Sequence, residues 1–187
     1  MASSPVDRIR LVQGDITGFP ADAIVNAANS GLRGGGGVDG AVHRVGGPAV
    51  MADLERRYGS DRHCPTGGAV ISDAGHLPAR FVVHAVGPVW RGGEAGEAEH
   101  LASAYRTSLD LARDAGCRTV ALPSISTGVY GYPVESAAVV AVGAVSRWML
   151  DQPGVIDAVT FVLFSRETRA AYEAALEALT ADLGGGA

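Results

Sequence analysis

The chain contains no lysine. All fifteen cationic side chains among its 187 residues are arginine, which excludes a lysine Schiff base, a lysine nucleophile and the Walker-type phosphate lysine. Cysteine is scarce as well. Cys64 and Cys117 stand far apart in no metal-ligand spacing, so reduced thiols are expected. His63 beside Cys64 has no second pair at zinc spacing. No apolar run approaches the roughly 20 residues of a membrane span. Residues 1–7 lack the charged and apolar regions of a signal peptide, so a cytoplasmic protein with a flexible N-terminus is expected. No G-x-S-x-G elbow marks a serine hydrolase. Positive charge is also short: the net charge of −5 argues against non-specific binding to a nucleic-acid backbone. A single phosphorylated small molecule held by backbone amides remains compatible with it.

Glycine, in contrast, is concentrated. After the apolar stretch Ile24-Val25 come Asn26 and Asn29, then four consecutive glycines, Gly34 to Gly37, then a helical pattern with Asp39 in its first turn. Ordering four glycines in a row is costly in backbone entropy. A strand feeding a glycine loop feeding a helix start is suited to holding phosphate. Gly35, Gly37 and Gly40 match G-x-G-x-x-G, which raises a dinucleotide oxidoreductase. Two details oppose that reading. Asp39 would face the pyrophosphate, and no strand with a terminal acid follows at about twenty residues.

The rest of the chain alternates strands with helices. Strands are expected at Ile9 to Val12, Ala23 to Asn26, Ala69 to Ser72, Phe81 to Val86, Thr119 to Leu122 and Ala158 to Phe164. Helices are expected near 38–44, 48–58, 101–112, 134–150 and 167–179, with residues 182–187 as a disordered tail and 8–181 as a single domain. Such alternation predicts an α/β sheet covered on both faces. The loops after Val12, Val25, Leu122 and Phe164 can then converge at one edge, where ligands bind.

Each candidate residue admits an ordinary reading beside a functional one. Asp39 either matches the helix dipole or acts on a ligand. Asn26 and Asn29 are turn residues or ligand contacts. Asp15 is a cap or a contact. Tyr130 and Tyr132 expose apolar area unless a planar ligand covers them. Phe164 reads as core before it reads as a stacking platform. His84, in an apolar strand, reads as a satisfied buried histidine.

Taken together, several segments resemble the macrodomain family, and within it the MacroD-type branch of ADP-ribose hydrolases. They are Gly14-Asp15-Ile16-Thr17, Val25-Asn26-Ala27-Ala28-Asn29, Gly34 to His43, Thr66-Gly67, His84 to Pro88 and Ser124 to Pro133. The resemblance runs from about Ile9 to Leu179. It implies a three-layer α/β/α domain around a mixed, mostly parallel sheet of six or seven strands. It also implies a cleft for ADP-ribose. Asp15 and the Ile16 backbone would contact the adenine, with Phe164 stacked nearby. Ser126, Thr127, Gly128, Val129 and Tyr130 would wrap the pyrophosphate and distal ribose. Gly34, Gly35, Gly36, Gly37 and Val38 would close from the other side, and Asn26 would join the ligand contacts.

In this resemblance Asn29 orients the distal ribose and Asp39 supports catalysis. The implied activity is removal of mono-ADP-ribose from acidic side chains, deacetylation of O-acetyl-ADP-ribose, or both, by a monomer without metal or cofactor. ADP-ribosylated nucleic-acid ends are conceivable substrates, and a non-catalytic ADP-ribose reader is the alternative. The sequence departs from the family pattern at Leu32-Arg33, where smaller or apolar residues are expected, and at Gly68, where an acid is expected.

Overall fold

The computed structural model describes residues 5–184. Six strands form one sheet: β1 (Ile9–Gln13), β2 (Ala23–Ala27), β3 (Ala69–Asp73), β4 (Phe81–Ala85), β5 (Thr119–Leu122) and β6 (Ala158–Leu163). Their order across the sheet is β1-β6-β5-β2-β4-β3, parallel throughout except for the antiparallel pair β3–β4. The five helices are α1 (Gly37–Gly46), α2 (Pro48–Tyr58), α3 (Glu97–Asp114), α4 (Val134–Asp151) and α5 (Arg166–Gly184). The mixed, mostly parallel sheet of six or seven strands implied by the resemblance is therefore present, with six strands among the described residues.

The central strands are short, apolar and buried on both faces, as a parallel sheet covered by helices requires. Side-chain alternation divides them between two cores. Val25, Val83, Leu122 and Phe161 pack against α3, α4 and α5. Ile24, Val82, Ala121 and Val162 pack on the opposite face, which α1 covers. Phe161 is fully buried, with Tyr105 and Tyr172 against its ring at centroid distances of 5.9 and 4.9 Å. Burial of one such side chain contributes about 1.5–3 kcal/mol.

Residues 5–8 form a 3-10 turn ahead of β1. Helix α5 continues through residues 182–184, where a tail is expected, because the alanine-rich run before them favours helix. Residues 1–4 and 185–187 lie outside the described residues.

The topology places the site. β5 and β2 are parallel neighbours, yet the chain after β5 leads to α4 on one face and the chain after β2 leads to α1 on the other. A crevice opens between the two departing loops, at the carboxyl ends of the strands.

Candidate functional site

A cleft of about 380 Å³ occupies that crevice. One wall is the loop after β2: Ala27 to Asn29 and Gly35 to Asp39. The other is the loop after β5: Ser124 to Ser126 and Gly128 to Tyr130. Gly87, just beyond β4, also contributes.

The first wall is built around α1. Its N-cap is Gly36, which offers no side-chain cap, so the leading amides of the helix are left without a side-chain acceptor. These amides and the helix dipole favour an anion at this end. The glycine loop lies directly on α1. A Cβ at Gly40 would stand 2.5 Å from the Gly35 carbonyl oxygen, so only glycine permits the contact. Leu32, in the left-handed region at φ 53°, is buried among Ala28, Cys64 and Val86 and pins the loop from beneath.

Asp39 is 5% exposed, on the first turn of α1. Its Oδ1 accepts a hydrogen bond of 2.7 Å from Asn26 Nδ2 and lies 3.3 Å from His43 Nε2, one helical turn away. Its Oδ2 borders Gly35: a Cβ there would stand 3.3 Å from this oxygen and 3.6 Å from Asn29 Nδ2. Asp39 Oδ2 and Asn29 Nδ2 thus border the same space beside the Gly35 Cα. Asn29 also shapes its own loop, donating from Nδ2 to the Gly34 carbonyl at 2.8 Å. Its second Nδ2 hydrogen has no acceptor among the described residues.

Beneath Asp39 lies a closed polar chain. Asn26 and His84 are register partners on β2 and β4, and both are fully buried on the face that α1 covers. Asn26 Nδ2 is 3.1 Å from His84 Nδ1, and His84 Nε2 is 2.9 Å from the hydroxyl of Ser72 on β3. Burial, reinforced by His43 and Arg62 and opposed by Asp39, lowers the His84 pKa to about 3 and keeps the ring neutral.

The second wall is anchored by neutral groups. Tyr105 of α3 donates from its hydroxyl to the Pro123 carbonyl at 2.8 Å and accepts from the Ile125 amide at 3.0 Å. Tyr172 of α5 donates to the Ser124 hydroxyl at 3.0 Å. Burial raises both phenols, Tyr172 to about 12 and Tyr105 well above its ordinary value, so both remain protonated. Ser126 has φ 69° and a buried hydroxyl without a hydrogen-bond partner. Gly87 makes room for it, since a Cβ at position 87 would fall 2.2 Å from Ser126 Oγ and 2.4 Å from Ile125 Cγ2.

The structure brings together Asn29, Asp39, Gly35, Gly36, Gly37, Val38, Ser126, Gly128, Val129 and Tyr130 around one cleft. Asn26, expected among the ligand contacts, is fully buried and does not line the cleft; its Nδ2 lies against Asp39 and His84 instead. The Thr127 hydroxyl is turned onto Ser124, which leaves only its backbone for the cleft, and the Gly34 carbonyl accepts from Asn29.

Asp15, Ile16 and Phe164 lie farther along the same edge, after the paired ends of β1 and β6. Asp15 caps the turn Ile16–Gly18, and the Thr17 hydroxyl and amide hold its carboxyl below the ordinary range. The Ile16 side chain is buried under α1. Phe164 is 81% exposed, which overturns the core reading. Tyr132 is the converse correction. It is buried against Trp90 at a centroid distance of 4.5 Å and does not face the cleft. His43, Gly87, Ser124 and Ile125 are site residues that the sequence reading did not single out. The i, i+4 spacing of Asp39 and His43 on one helix was a usable signal for the first of them.

Known proteins share this fold. A family model described as Macro domain matches residues 25–141. A protein of Enterobacter cloacae named O-acetyl-ADP-ribose deacetylase is 50% identical over 166 residues, spanning 89% of this chain and 92% of that one. The Oceanobacillus iheyensis macrodomain with ADP superposes with a TM-score of 0.85 at 38% identity, covering 92% of this chain and 91% of that one. The Trypanosoma brucei macrodomain in complex with ADP-ribose gives a TM-score of 0.82 at 38% identity, covering 92% and 70%.

Proposed function

Because this chain belongs to the Macro domain family, we propose that its cleft binds ADP-ribose and hydrolyses bonds at the distal ribose. The substrates are mono-ADP-ribose esterified to acidic side chains, O-acetyl-ADP-ribose, or both. The observation that carries the reading is the buried Asp39 carboxylate, anchored through Oδ1 while Oδ2 and the Asn29 amide both border Gly35 at the cleft wall.

The diphosphate takes the place where no lysine is needed. The leading amides of α1 and the glycine backbone meet it from one wall and the Ser126 to Tyr130 backbone from the other. The adenine extends along the edge toward Asp15 and the exposed ring of Phe164. Asn29 orients the ribose hydroxyls with its remaining amide hydrogen. Cleavage of a glycosyl ester at C1″ develops oxocarbenium-like charge, which an adjacent carboxylate stabilises. Water adds to C1″ as the bond to the target carboxylate breaks, and Asp39 Oδ2 takes the water proton before it passes to solvent. For the O-acetyl substrate the same carboxylate takes a proton from the water that adds to the acetyl carbonyl; the acyl C–O bond then breaks, the proton passes to the ribose oxygen and acetic acid is released. The chain's own groups carry both reactions, and a reader module would leave this anchored carboxylate unused.

The test is release of label from an automodified mono-ADP-ribosylated protein, run beside deacetylation of O-acetyl-ADP-ribose. General acid–base contributions place the loss in Asp39→Ala at about 100-fold or more in kcat, with the ADP-ribose Kd retained in calorimetry. Equal rates for wild type and variant on both substrates would remove Asp39 from the mechanism.

A further inference from the structure

We propose that His84 is a positioning residue for Asp39, acting through the side-chain amide of Asn26, and that Ser72 fixes the histidine tautomer on which this depends. The proposal rests on the catalytic role given to Asp39 above.

The proton positions follow from one another. A carboxylate only accepts, so the short contact of 2.7 Å requires Asn26 to present its NH2 group to Asp39. The same nitrogen lies 3.1 Å from His84 Nδ1, so its second hydrogen meets that ring atom, which must carry a lone pair. His84 is then protonated on Nε2 and donates to Ser72 Oγ at 2.9 Å. Ser72 passes its own hydroxyl hydrogen to the Asp73 carbonyl at 3.1 Å. All four side chains lie on the sheet face under α1 or on α1 itself, and Asn26, His84 and Ser72 are fully buried.

Reversing the Asn26 amide would set its oxygen against the Asp39 carboxylate and against the His84 lone pair at once. The neutral Nε2–H histidine and the Asn26 orientation therefore hold each other. His84 is surrounded by Asn26 from β2, Ser72 from β3, and His43 and Asp39 from α1, with Arg62 farther off. Burial keeps it neutral, as the chain requires. The arrangement also has a cost. Asn26 Oδ1 is buried with no hydrogen-bond partner, and such an orphan in a native core calls for an explanation. Here both hydrogens of the amide are used to direct its neighbours. An aspartate's terminal torsion is broad when left alone. Anchoring Oδ1 selects the rotation that leaves Oδ2 at the cleft wall.

The experiment measures kcat, KM and ADP-ribose Kd for His84→Leu and His84→Asn on O-acetyl-ADP-ribose, with thermal midpoints recorded for each. Leucine removes the acceptor, whereas asparagine can return an oxygen to the Nδ1 position. His84→Leu is expected to lose about 10- to 100-fold in kcat, within the range that one misplaced catalytic group costs, with KM and Kd little changed. His84→Asn is expected to recover most of that kcat even though its midpoint also falls. If both variants lose stability alike while kcat per folded molecule stays at the wild-type value, the positioning role is overturned. Loss of kcat in Asp39→Ala together with wild-type kcat in His84→Leu would sink this inference alone. Wild-type rates in Asp39→Ala would sink the function proposed above. Ring 15N spectra of the wild-type protein supply a readout that needs no variant. A protonated Nε2 with bare Nδ1 is expected, and an Nδ1–H tautomer overturns the proposal.

Discussion

The two walls of the cleft are held from opposite faces of the sheet, and by different chemistry. Beneath the first wall, α1 covers a chain of buried polar side chains that ends in a carboxyl group: Ser72, His84, Asn26, Asp39. Beneath the second, α3 and α5 send up two tyrosine hydroxyls that end on the backbone and on Ser124. On the proposed function, the first anchor fixes the direction of a reactive group and the second only the course of a loop. Damage to the carboxylate's anchor should therefore appear in kcat, and damage to the loop's anchor in affinity.

The largest effect is expected where the first wall opens directly onto the ligand. Gly36 has extended backbone (φ −95°, ψ −174°) that any residue adopts, and a Cβ there meets nothing within 4 Å. Gly36→Glu should therefore fold normally. Its carboxylate would sit at the N-terminus of α1, where an anion is stabilised and competes with the diphosphate. Like-charge juxtaposition costs several kcal/mol, so the ADP-ribose Kd should rise by at least about 100-fold. Calorimetry beside a thermal melt checks this. Undiminished affinity would mean that the glycine loop does not line the binding site.

How far the sequence foretold these walls depended on the kind of interaction involved. The alternation of strands and helices was legible because the central strands, such as Ala23–Ala27, are buried on both faces and read as apolar runs. The glycine loop and Asp39 were legible because they are local in sequence. What escaped were partners brought together by β register. His84 reads correctly as a satisfied buried histidine, but Asn26 and Ser72 become its partners only once β2, β4 and β3 lie side by side. Gly87 gains its meaning from Ser126, thirty-nine positions away in the chain. Burial of aromatics was misjudged in both directions. Tyr132 is covered by Trp90, while Phe164 lies one residue beyond the end of β6 and its last pairing, and projects into solvent. Neither outcome is encoded within a short window.

A smaller effect is expected at the base of the second wall. In Gly87→Ala the new methyl group would collide with Ser126 Oγ and Ile125 Cγ2, at 2.2 and 2.4 Å before relaxation. Overpacking of this kind costs about 1–3 kcal/mol, and the strained turn at Ser126 is the part free to move. The ADP-ribose Kd should rise by roughly 10-fold, with kcat at saturating substrate within about threefold of wild type. The opposite split, with kcat lost and Kd retained, would break the division between an affinity wall and a catalytic wall.

The smallest effect tests the second anchor itself. Tyr105→Phe keeps the ring that packs on Phe161 but strips the hydroxyl from the Pro123 carbonyl and the Ile125 amide, leaving two buried groups unpaired. A buried donor or acceptor left unsatisfied costs about 1–3 kcal/mol, so the urea midpoint should fall measurably. Because burial holds the phenol protonated well above its ordinary value, this loss should be the same at pH 6 and pH 8. The first anchor behaves otherwise. An unfolded histidine takes up a proton near pH 6.5, whereas the folded His84 refuses it until about pH 3. Its contribution is complete above pH 6.5 and declines as the pH falls, by up to about 1.4 kcal/mol per pH unit. The stability difference between His84→Asn and wild type should therefore shrink in acid, while the Tyr105→Phe difference stays level. A Tyr105→Phe difference that tracks pH would mean that the two anchors are coupled through the sheet rather than independent.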